Sequence, residues 1–251
     1  MKYWVHEIGD KTWMIEEGNG VDRLTHVYMY LLAGEKEAAL IDGGMGQIPL
    51  DRIVRELTDL PVKMLLTHGH IDHIGAASMF EEVYMHDADR DTYQEHVTVV
   101  RERYEGDFPP PAKHIRSMKE GELFDLGGRT LQVIETPGHT SGSVCILDME
   151  RKELYTGDTC CKAHVLLNMK FCETLECYYG SLKKLKSRRA EYSVTWPGHH
   201  ARPVEPEIVD QFMEGAESIL DGSAELRTIV HSGRPARILE HRDIGIVLPA
   251  E

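Results

Sequence analysis

Residues 67–73, with the sequence Thr-His-Gly-His-Ile-Asp-His, contain the densest group of metal-binding side chains in the chain. His68 and His70 are two positions apart, so in an extended segment their side chains leave the same face. Asp72 and His73 follow where the chain turns, and they can point to a second position nearby. Imidazole nitrogens and a carboxylate oxygen suit zinc, and also iron or manganese. Because burying these groups without a common partner would be costly, the heptad predicts a metal site.

The heptad lies between a predicted strand and a predicted helix. The apolar run 62–66 is typical of a buried strand, and residues 75–80 are typical of the start of a helix. The ligands therefore follow the carboxyl end of a strand, which is where open α/β sheets place their sites.

Three further candidate ligands each follow another predicted strand. His139 lies in the loop Thr-Pro-Gly-His-Thr-Ser-Gly-Ser at 136–143, Asp158 follows Thr-Gly, and His199 follows Pro-Gly. Any one of them alone would be ordinary loop chemistry. Together with the heptad they supply enough nitrogen and oxygen ligands for two adjacent metal ions that share one bridging carboxylate. The predicted ligands are His68, His70, Asp72, His73, His139, Asp158 and His199.

The other elements place these ligands in a mixed α/β protein. Residues 1–42 indicate consecutive strands, and the last of them ends at Asp42, which orients a metal ligand or, equally well, accepts hydrogen bonds from loop amides. Apolar residues at helical spacing predict three helices and a late run predicts one more strand. These predicted elements are helices at 49–60, 178–190 and 206–220 and a strand at 244–248.

Residues 87–118 differ in composition, because they are rich in charged and aromatic side chains. We predict an exposed helix over 88–104 and an irregular loop over 105–118, since three consecutive prolines break any helix there. A long insertion between two parts of a site often forms a lid. The other interpretation is a solvated helical decoration.

Composition limits the class of protein. The 251 residues are 28% charged and 41% hydrophobic, as in ordinary globular proteins, and we predict one domain over 1–251. The formal net charge of -14 argues against nucleic acid and anionic membranes as partners. Five cysteines without a CxxC pair, and no apolar signal-peptide core, predict a cytoplasmic protein with reduced thiols. A small-molecule substrate is the expected partner, and a homodimer through the C-terminal tail is a hypothesis.

The four motifs, in this order, resemble those of the metallo-β-lactamase-fold hydrolase superfamily over residues 10–220. The resemblance implies a four-layer αββα sandwich of two mixed sheets, with the metal site at one sheet edge. It also implies that one metal ion binds His68, His70 and His139, that a second binds Asp72, His73 and His199, and that Asp158 bridges them. The expected cofactor is therefore two Zn²⁺ ions per chain.

The chain departs from several branches of that superfamily. The bridging position holds Asp158, unlike the cysteine of the true zinc β-lactamases, and His200 replaces the usual glycine of the last motif. Glyoxalase II-like thioesterases share the ligands but have a longer C-terminal domain with basic residues for glutathione. Lactonase-like members place a tyrosine near the metals, a role that Tyr178 or Tyr179 could take. We expect the stretch from His164 to Tyr178 to shape the pocket, with His164, Tyr178 and His200 as candidate substrate contacts.

The predicted activity is hydrolysis of an ester, thioester or lactone by a metal-bridging hydroxide, which Asp72 would orient as the catalytic carboxylate. One alternative is an oxygenase that resembles persulfide dioxygenases and uses a single iron bound by His68, His139 and Asp158. The other alternative is a metal-binding protein without catalytic activity. The substrate itself is not encoded by the fold.

Overall fold

Two large β-sheets form the centre of the protein. The computed structural model describes residues 1–20, 26–103, 106–200 and 202–250. The first sheet has its strands in sequence order; β1 to β4 are antiparallel neighbours, and β4 to β7 are parallel. Its strands are β1 (Lys2–Gly9), β2 (Thr12–Gly18), β3 (Val27–Ala33), β4 (Ala38–Ile41), β5 (Val62–Leu65), β6 (Glu82–His86) and β7 (Arg116–Met118).

The second sheet has the strand order β13-β11-β10-β9-β8, and a smaller third sheet has the order β12-β16-β15-β14. The strands of the second sheet are β8 (Leu123–Asp125), β9 (Thr130–Glu135), β10 (Val144–Asp148), β11 (Glu153–Gly157) and β13 (Val194–Pro197). Those of the third sheet are β12 (His164–Leu166), β14 (Arg227–His231), β15 (Arg234–His241) and β16 (Ile244–Pro249). The α-helices in the described residues are α1 (Leu50–Leu57), α2 (Ile71–Ile74), α3 (Arg90–Glu95), α4 (Leu175–Ser187) and α5 (Ile208–Leu220).

Strand β3 shows how the first sheet separates two hydrophobic layers. Successive side chains of a strand point to opposite faces. Met29 and Leu31 therefore pack on the side of α1, whereas Tyr28 and Tyr30 pack between the two large sheets. Both faces of β3 are buried, which explains its continuous apolar sequence.

The layers follow from these packing contacts. The outer face of the first sheet is covered by α1 and part of 87–118, its inner face packs on the second sheet, and the far face of the second sheet is covered by α4 and α5. This arrangement is a four-layer αββα sandwich, so the predicted fold class is confirmed. The helices α1, α4 and α5 lie within a few residues of their predicted positions, and α1 ends before Pro61 because proline cannot continue a helix.

The third sheet was not predicted, apart from its strand at 244–248. Strands β14 and β15 carry many arginines and little regular alternation of apolar and polar residues, so their sequences lack a clear strand pattern. Strand β16 packs beside α5 in the same hydrophobic cluster. It also pairs in parallel with the short strand β12, which lies beside the predicted metal ligands.

Two local predictions were wrong. Residues 75–80 form only a single 3-10 turn, Ala77–Met79, and the α-helical turn lies earlier, in α2 within the heptad. The helix predicted over 88–104 is not fully exposed, since Tyr93 and Val97 are buried in the core. Its predicted last residue, Tyr104, lies outside the described residues, and the lid role of 87–118 stays a prediction.

All five cysteines are free thiols. Among the residues with described positions, no helix is long and apolar enough to cross a bilayer. The cytoplasmic location and the homodimer stay predictions.

The packing of α5 gives a test of this architecture. Phe212 is fully buried and its ring meets that of Tyr178 edge to face at 6.2 Å. We expect Phe212→Ala to lower the free energy of unfolding by about 3–5 kcal/mol, because it leaves a cavity between α5 and α4. Urea denaturation measures this loss. Leu220→Ala, at the exposed end of the same helix, is the control, and equal effects of the two changes would contradict the assigned layer.

Candidate metal centre

The predicted ligands lie at one edge of the two large sheets. The heptad follows β5, His139 lies between β9 and β10, Asp158 follows β11, and His199 follows β13. Strands β11 and β13 are parallel neighbours, so Asp158 and His199 leave the second sheet at the same end. The parallel pairing of β4 with β5 brings the end of β4, with Asp42, to the heptad. The structure thus brings all seven ligands predicted from the sequence to one place.

One cluster consists of three buried histidines, His68, His70 and His139. Nδ1 of His70 lies 3.1 Å from Nε2 of His68 and 3.0 Å from Nε2 of His139. Zinc–nitrogen bonds of about 2.0–2.1 Å at tetrahedral angles separate such nitrogens by roughly 3.3 Å. The three nitrogens therefore have the spacing of ligands to one small cation.

The second cluster consists of Asp72, His73 and His199. Nε2 of His199 lies 3.2 Å from Oδ2 of Asp72 and 3.2 Å from Nε2 of His73. The remaining separation, between Nε2 of His73 and Oδ2 of Asp72, is 3.9 Å. This mixed oxygen and nitrogen set also suits a divalent cation.

Asp158 lies between the two clusters. Its Oδ1 is 3.4 Å from Nε2 of His73, and its Oδ2 is 3.4 Å from Nε2 of His139. Oδ1 is buried and makes no short hydrogen bond with a described residue; the imidazoles of His73 and His199 face it at 3.4 and 3.7 Å. A buried carboxylate oxygen in that state is costly unless a cation compensates it. The residues present therefore fit a metal centre with a shared carboxylate.

The protonation states of the histidines differ between the two clusters. Burial, together with the neighbouring imidazoles, lowers the pKa of His68 and of His70 well below the ordinary value, so both rings keep free lone pairs at neutral pH. Against the opposing effect of burial, the imidazoles of His73 and His199 hold the pKa of Asp72 and of Asp158 well below the usual range. Against the effect of burial, Asp158 and Asp72 in turn raise the pKa of His73, and they raise that of His199 to about 9, so a metal ion would have to displace the protons of these two imidazoles.

Groups behind the ligands fix their orientation. Asp42 accepts hydrogen bonds from Nδ1 of His73 at 2.8 Å and from the backbone N–H of Thr67 at 2.7 Å, so both alternatives considered for it are correct. His139 donates from Nδ1 to the carbonyl of Leu166 at 2.9 Å, and His199 donates to the carbonyl of His26 at 2.8 Å. Such partners fix the tautomer, so that Nε2 of each histidine faces the centre.

Asp89 is a positioning residue that the sequence did not reveal. This buried carboxylate accepts from the backbone N–H of Gly69 at 2.6 Å and from Thr140 Oγ1 at 2.8 Å through Oδ2, and from the N–H of Gly142 at 2.8 Å through Oδ1. It therefore ties the loop with His68 and His70 to the loop with His139. A Cβ at Gly142 would lie 2.6 Å from the backbone nitrogen of Asp89, which explains the glycine there.

His96 is a second residue that sequence reasoning missed as part of the site. Its Nδ1 accepts from the backbone N–H of Ile71 at 3.0 Å, and its ring lies 4.5 Å from that of His70. Burial lowers the pKa of His96 to about 4, so the ring is neutral and can accept this bond. A single π-helical turn, 96–100, begins at this residue. Its only sequence signal was a histidine beside the buried Val97, which is too weak to assign a role.

A pocket of about 190 Å³ opens beside the ligands. Asp72 and Asp158 form its floor together with His139 and His199, and β12 and the preceding turn form one wall. Two of the three predicted substrate contacts, His164 and His200, line it.

The assignment of Tyr178 as a substrate contact was wrong. Its side chain is fully buried in the cluster between the second sheet and the helices, and its hydroxyl donates to the carbonyl of Thr159 at 2.8 Å. The ring packs under Gly138, where a Cβ would lie 2.5 Å from Cδ2 of the ring. Tyr178 therefore supports the loop that carries His139 from behind. The sequence did not show whether this face of α4 packs in the core or lines the pocket.

The match of a family model decides the family. The model described as the Metallo-beta-lactamase superfamily matches residues 22–199, a range that includes every predicted ligand. The chain belongs to this superfamily. The resemblance seen in the sequence motifs is thereby confirmed.

Two of the proteins with related sequences carry the name of a hydrolase. The chain is 30% identical over 181 residues to the acyl-coenzyme A thioesterase MBLAC2 of Gallus gallus. The aligned region covers 62% of this chain and 61% of that protein. The chain is 26% identical over 200 residues to the probable polyketide biosynthesis zinc-dependent hydrolase BaeB of Bacillus velezensis, covering 76% and 80%. The chain thus spans less than two thirds of the chicken protein and most of the bacterial one.

A solved structure shares the fold. The metallo-beta-lactamase family protein TTHA1429 of Thermus thermophilus matches with a TM-score of 0.68 at 22% identity, covering 84% of this chain and 81% of that one. Together with the family match, this likeness shows a metallo-β-lactamase fold, and the described residues give it a histidine-rich candidate metal site.

The role of Asp89 can be tested by an isosteric change. We expect Asp89→Asn to lower the free energy of unfolding by about 1–3 kcal/mol and to weaken metal retention, because the amide nitrogen would face N–H donors. Urea denaturation and metal analysis after dialysis measure the two effects. Asp87→Asn, an exposed carboxylate on the same turn, is the matched control. If Asp89→Asn retained all of its metal, the hydrogen bonds of Asp89 to the two ligand loops would not be needed for metal binding.

Proposed function

We propose that the protein hydrolyses an acyl thioester at a dinuclear zinc centre. The observation that carries this proposal is the pair of three-residue ligand clusters on either side of Asp158. The names of two relatives, an acyl-coenzyme A thioesterase and a zinc-dependent hydrolase, support the choice of a thioester bond and of zinc.

The ligand residues divide into three functional sets. His68, His70 and His139 would hold one ion, and Asp72, His73 and His199 would hold the other, with Asp158 shared. When bound, such a pair of ions supplies Lewis acidity for the substrate carbonyl and lowers the pKa of water between them.

Asp72 has a second task in this proposal. Its carboxylate belongs to a ligand cluster and also lines the pocket, so it reaches both the centre and the space where substrate would bind. Because it is ionised, it can accept a hydrogen bond from the attacking water and orient it toward the carbonyl carbon. No serine or cysteine nucleophile is required. Cys161, the one cysteine among the described residues that line the pocket, is buried, and burial raises the pKa of its thiol far above neutrality.

A thioester suits this site better than an ester or an amide. A thiol has a pKa of about 8.5, so a thiolate leaves without prior protonation more readily than an alkoxide or an amine. The pocket-lining carboxylates, Asp72 and Asp158, are held ionised and are poor proton donors for a leaving group.

Replacement of Asp72 tests the catalytic assignment. We expect Asp72→Asn to lower kcat for acyl-CoA hydrolysis by about 100-fold or more, since the neutral amide is a weaker ligand and a weaker acceptor for the water. Steady-state kinetics measure the loss, and circular dichroism verifies the fold. Asp51→Asn, on the outer helix α1, serves as the control and should keep normal turnover. Unchanged turnover in Asp72→Asn would remove this residue from the mechanism.

Metal content separates the proposal from the oxygenase alternative. We expect the purified protein to contain two zinc ions per chain and to lose thioesterase activity after chelation, with recovery on adding zinc. Elemental analysis and a panel of thioesters, lactones, phosphodiesters and β-lactams measure these properties. A single iron per chain with oxygen consumption on a persulfide would favour the oxygenase instead.

A further inference from the structure

His200 has an unusual backbone conformation for a residue with a side chain. Its φ angle is 68°, in the left-handed region that glycine adopts without strain. A non-glycine residue is strained there, although histidine is among the better tolerated types. The sequence has histidine at this position, immediately after the ligand His199.

The surrounding structure holds this conformation in place. The hydroxyl of the buried Tyr28 donates to the carbonyl of His200 at 2.9 Å, and the backbone N–H of Tyr28 donates to the carbonyl of Gly198 at 2.9 Å. The guanidinium of Arg202 lies 4.1 Å from the centre of the Tyr28 ring. The backbone at His200 is therefore fixed from both sides, and its side chain has a defined direction.

That side chain lines the pocket with spare hydrogen-bonding capacity. The imidazole is half-buried beside His199, with 5.9 Å between the ring centroids. Its Nδ1 is buried, and no partner for it occurs among the described residues. An unsatisfied buried polar atom destabilises the folded state. A strained backbone and an unpaired nitrogen at the same residue are expected where a ligand supplies the partner.

His164 lines the same pocket from the strand β12. In the parallel register it pairs with Gly245 of β16. A Cβ at Gly245 would lie 2.4 Å from Cδ2 of His164, so the absence of a side chain there leaves room for the imidazole. Two histidines that are not predicted metal ligands thus contribute to the walls of the pocket.

No lysine or arginine is among the described residues that line this pocket. The two nearby lysines are engaged elsewhere: Lys170 pairs with Glu95 at 2.8 Å, and Lys162 lies 3.5 Å from Asp243. The pocket walls therefore offer imidazole hydrogen bonds rather than a fixed positive charge. This favours an uncharged polar group over a carboxylate beside the scissile bond.

We propose that His200, assisted by His164, hydrogen-bonds an uncharged carbonyl or amide group of the acyl-thioester substrate next to the scissile bond. The inference rests on the proposed thioesterase function and adds the residues that select the substrate. The backbone strain at His200 persists because it directs the imidazole into the pocket.

Replacement of His200 by glycine separates strain from function. We expect zinc-loaded His200→Gly to keep its metal content and a thermal midpoint at least equal to that of the wild type, because the backbone is relaxed. Its kcat/KM for octanoyl-CoA should fall about tenfold, mainly through KM, because one hydrogen bond to the substrate is lost. His200→Asn should recover most of the loss, because asparagine tolerates this φ region and keeps a hydrogen-bonding side chain.

Lys152→Gly is the matched control. Lys152 also has a positive φ, of 56°, but it lies in the exposed turn before β11, at the end of that strand opposite to Asp158. In this variant the strain of the positive φ angle should also be removed, while kcat and KM for octanoyl-CoA should stay at the wild-type values. The inference is overturned if His200→Gly keeps the wild-type kcat/KM, or if its loss of activity follows a loss of metal. A wild-type protein inactive on every acyl thioester would instead refute the proposed function, and this inference with it.

Discussion

Seven side chains that can bind a metal lie close together at the edge of the two sheets. Burying so many polar and charged groups costs free energy, and the rest of the structure depends on how that cost is compensated. The ionised carboxylates and the neutral imidazoles of His68 and His70 have lost most of their hydration there. Buried carboxylates are stable only if a positive charge compensates them. The raised pKa values of His73 and His199 show that these imidazoles supply that charge as protonated rings, a role that a bound cation would take over.

The ligands are held by a second set of groups that come from distant parts of the fold. Asp42 at the end of β4 orients His73, and Asp89 joins the two loops that carry the three-histidine cluster. Main-chain carbonyls of Leu166 and His26 orient His139 and His199. Because each support belongs to a different element, the ligand geometry is a property of the assembled fold and not of the heptad alone.

The sequence was sufficient to predict the metal ligands, but it did not reveal the residues that orient them. Metal ligands are visible because their residue types are rare in such density and because each follows a strand end, as His139 does. Asp89 carried no such signal, since an aspartate in a charged helical segment is ordinary and its partners lie far away in the chain. Tyr178 was misassigned for a related reason: an aromatic residue near the site fits the core and the pocket equally well until the rotation of α4 is known. The strands β14 and β15 were missed because their arginines obscure the alternation on which strand prediction depends.

The short strand β12 contributes to the site in two ways. It supplies the carbonyl that orients His139, and it forms the pocket wall with His164. Its partner in the sheet is β16, which lies far downstream in the sequence. The orientation of His139 therefore depends on a strand that is far away in the sequence. A substitution in β16 could reach the metal ligands through β12 without touching any of them.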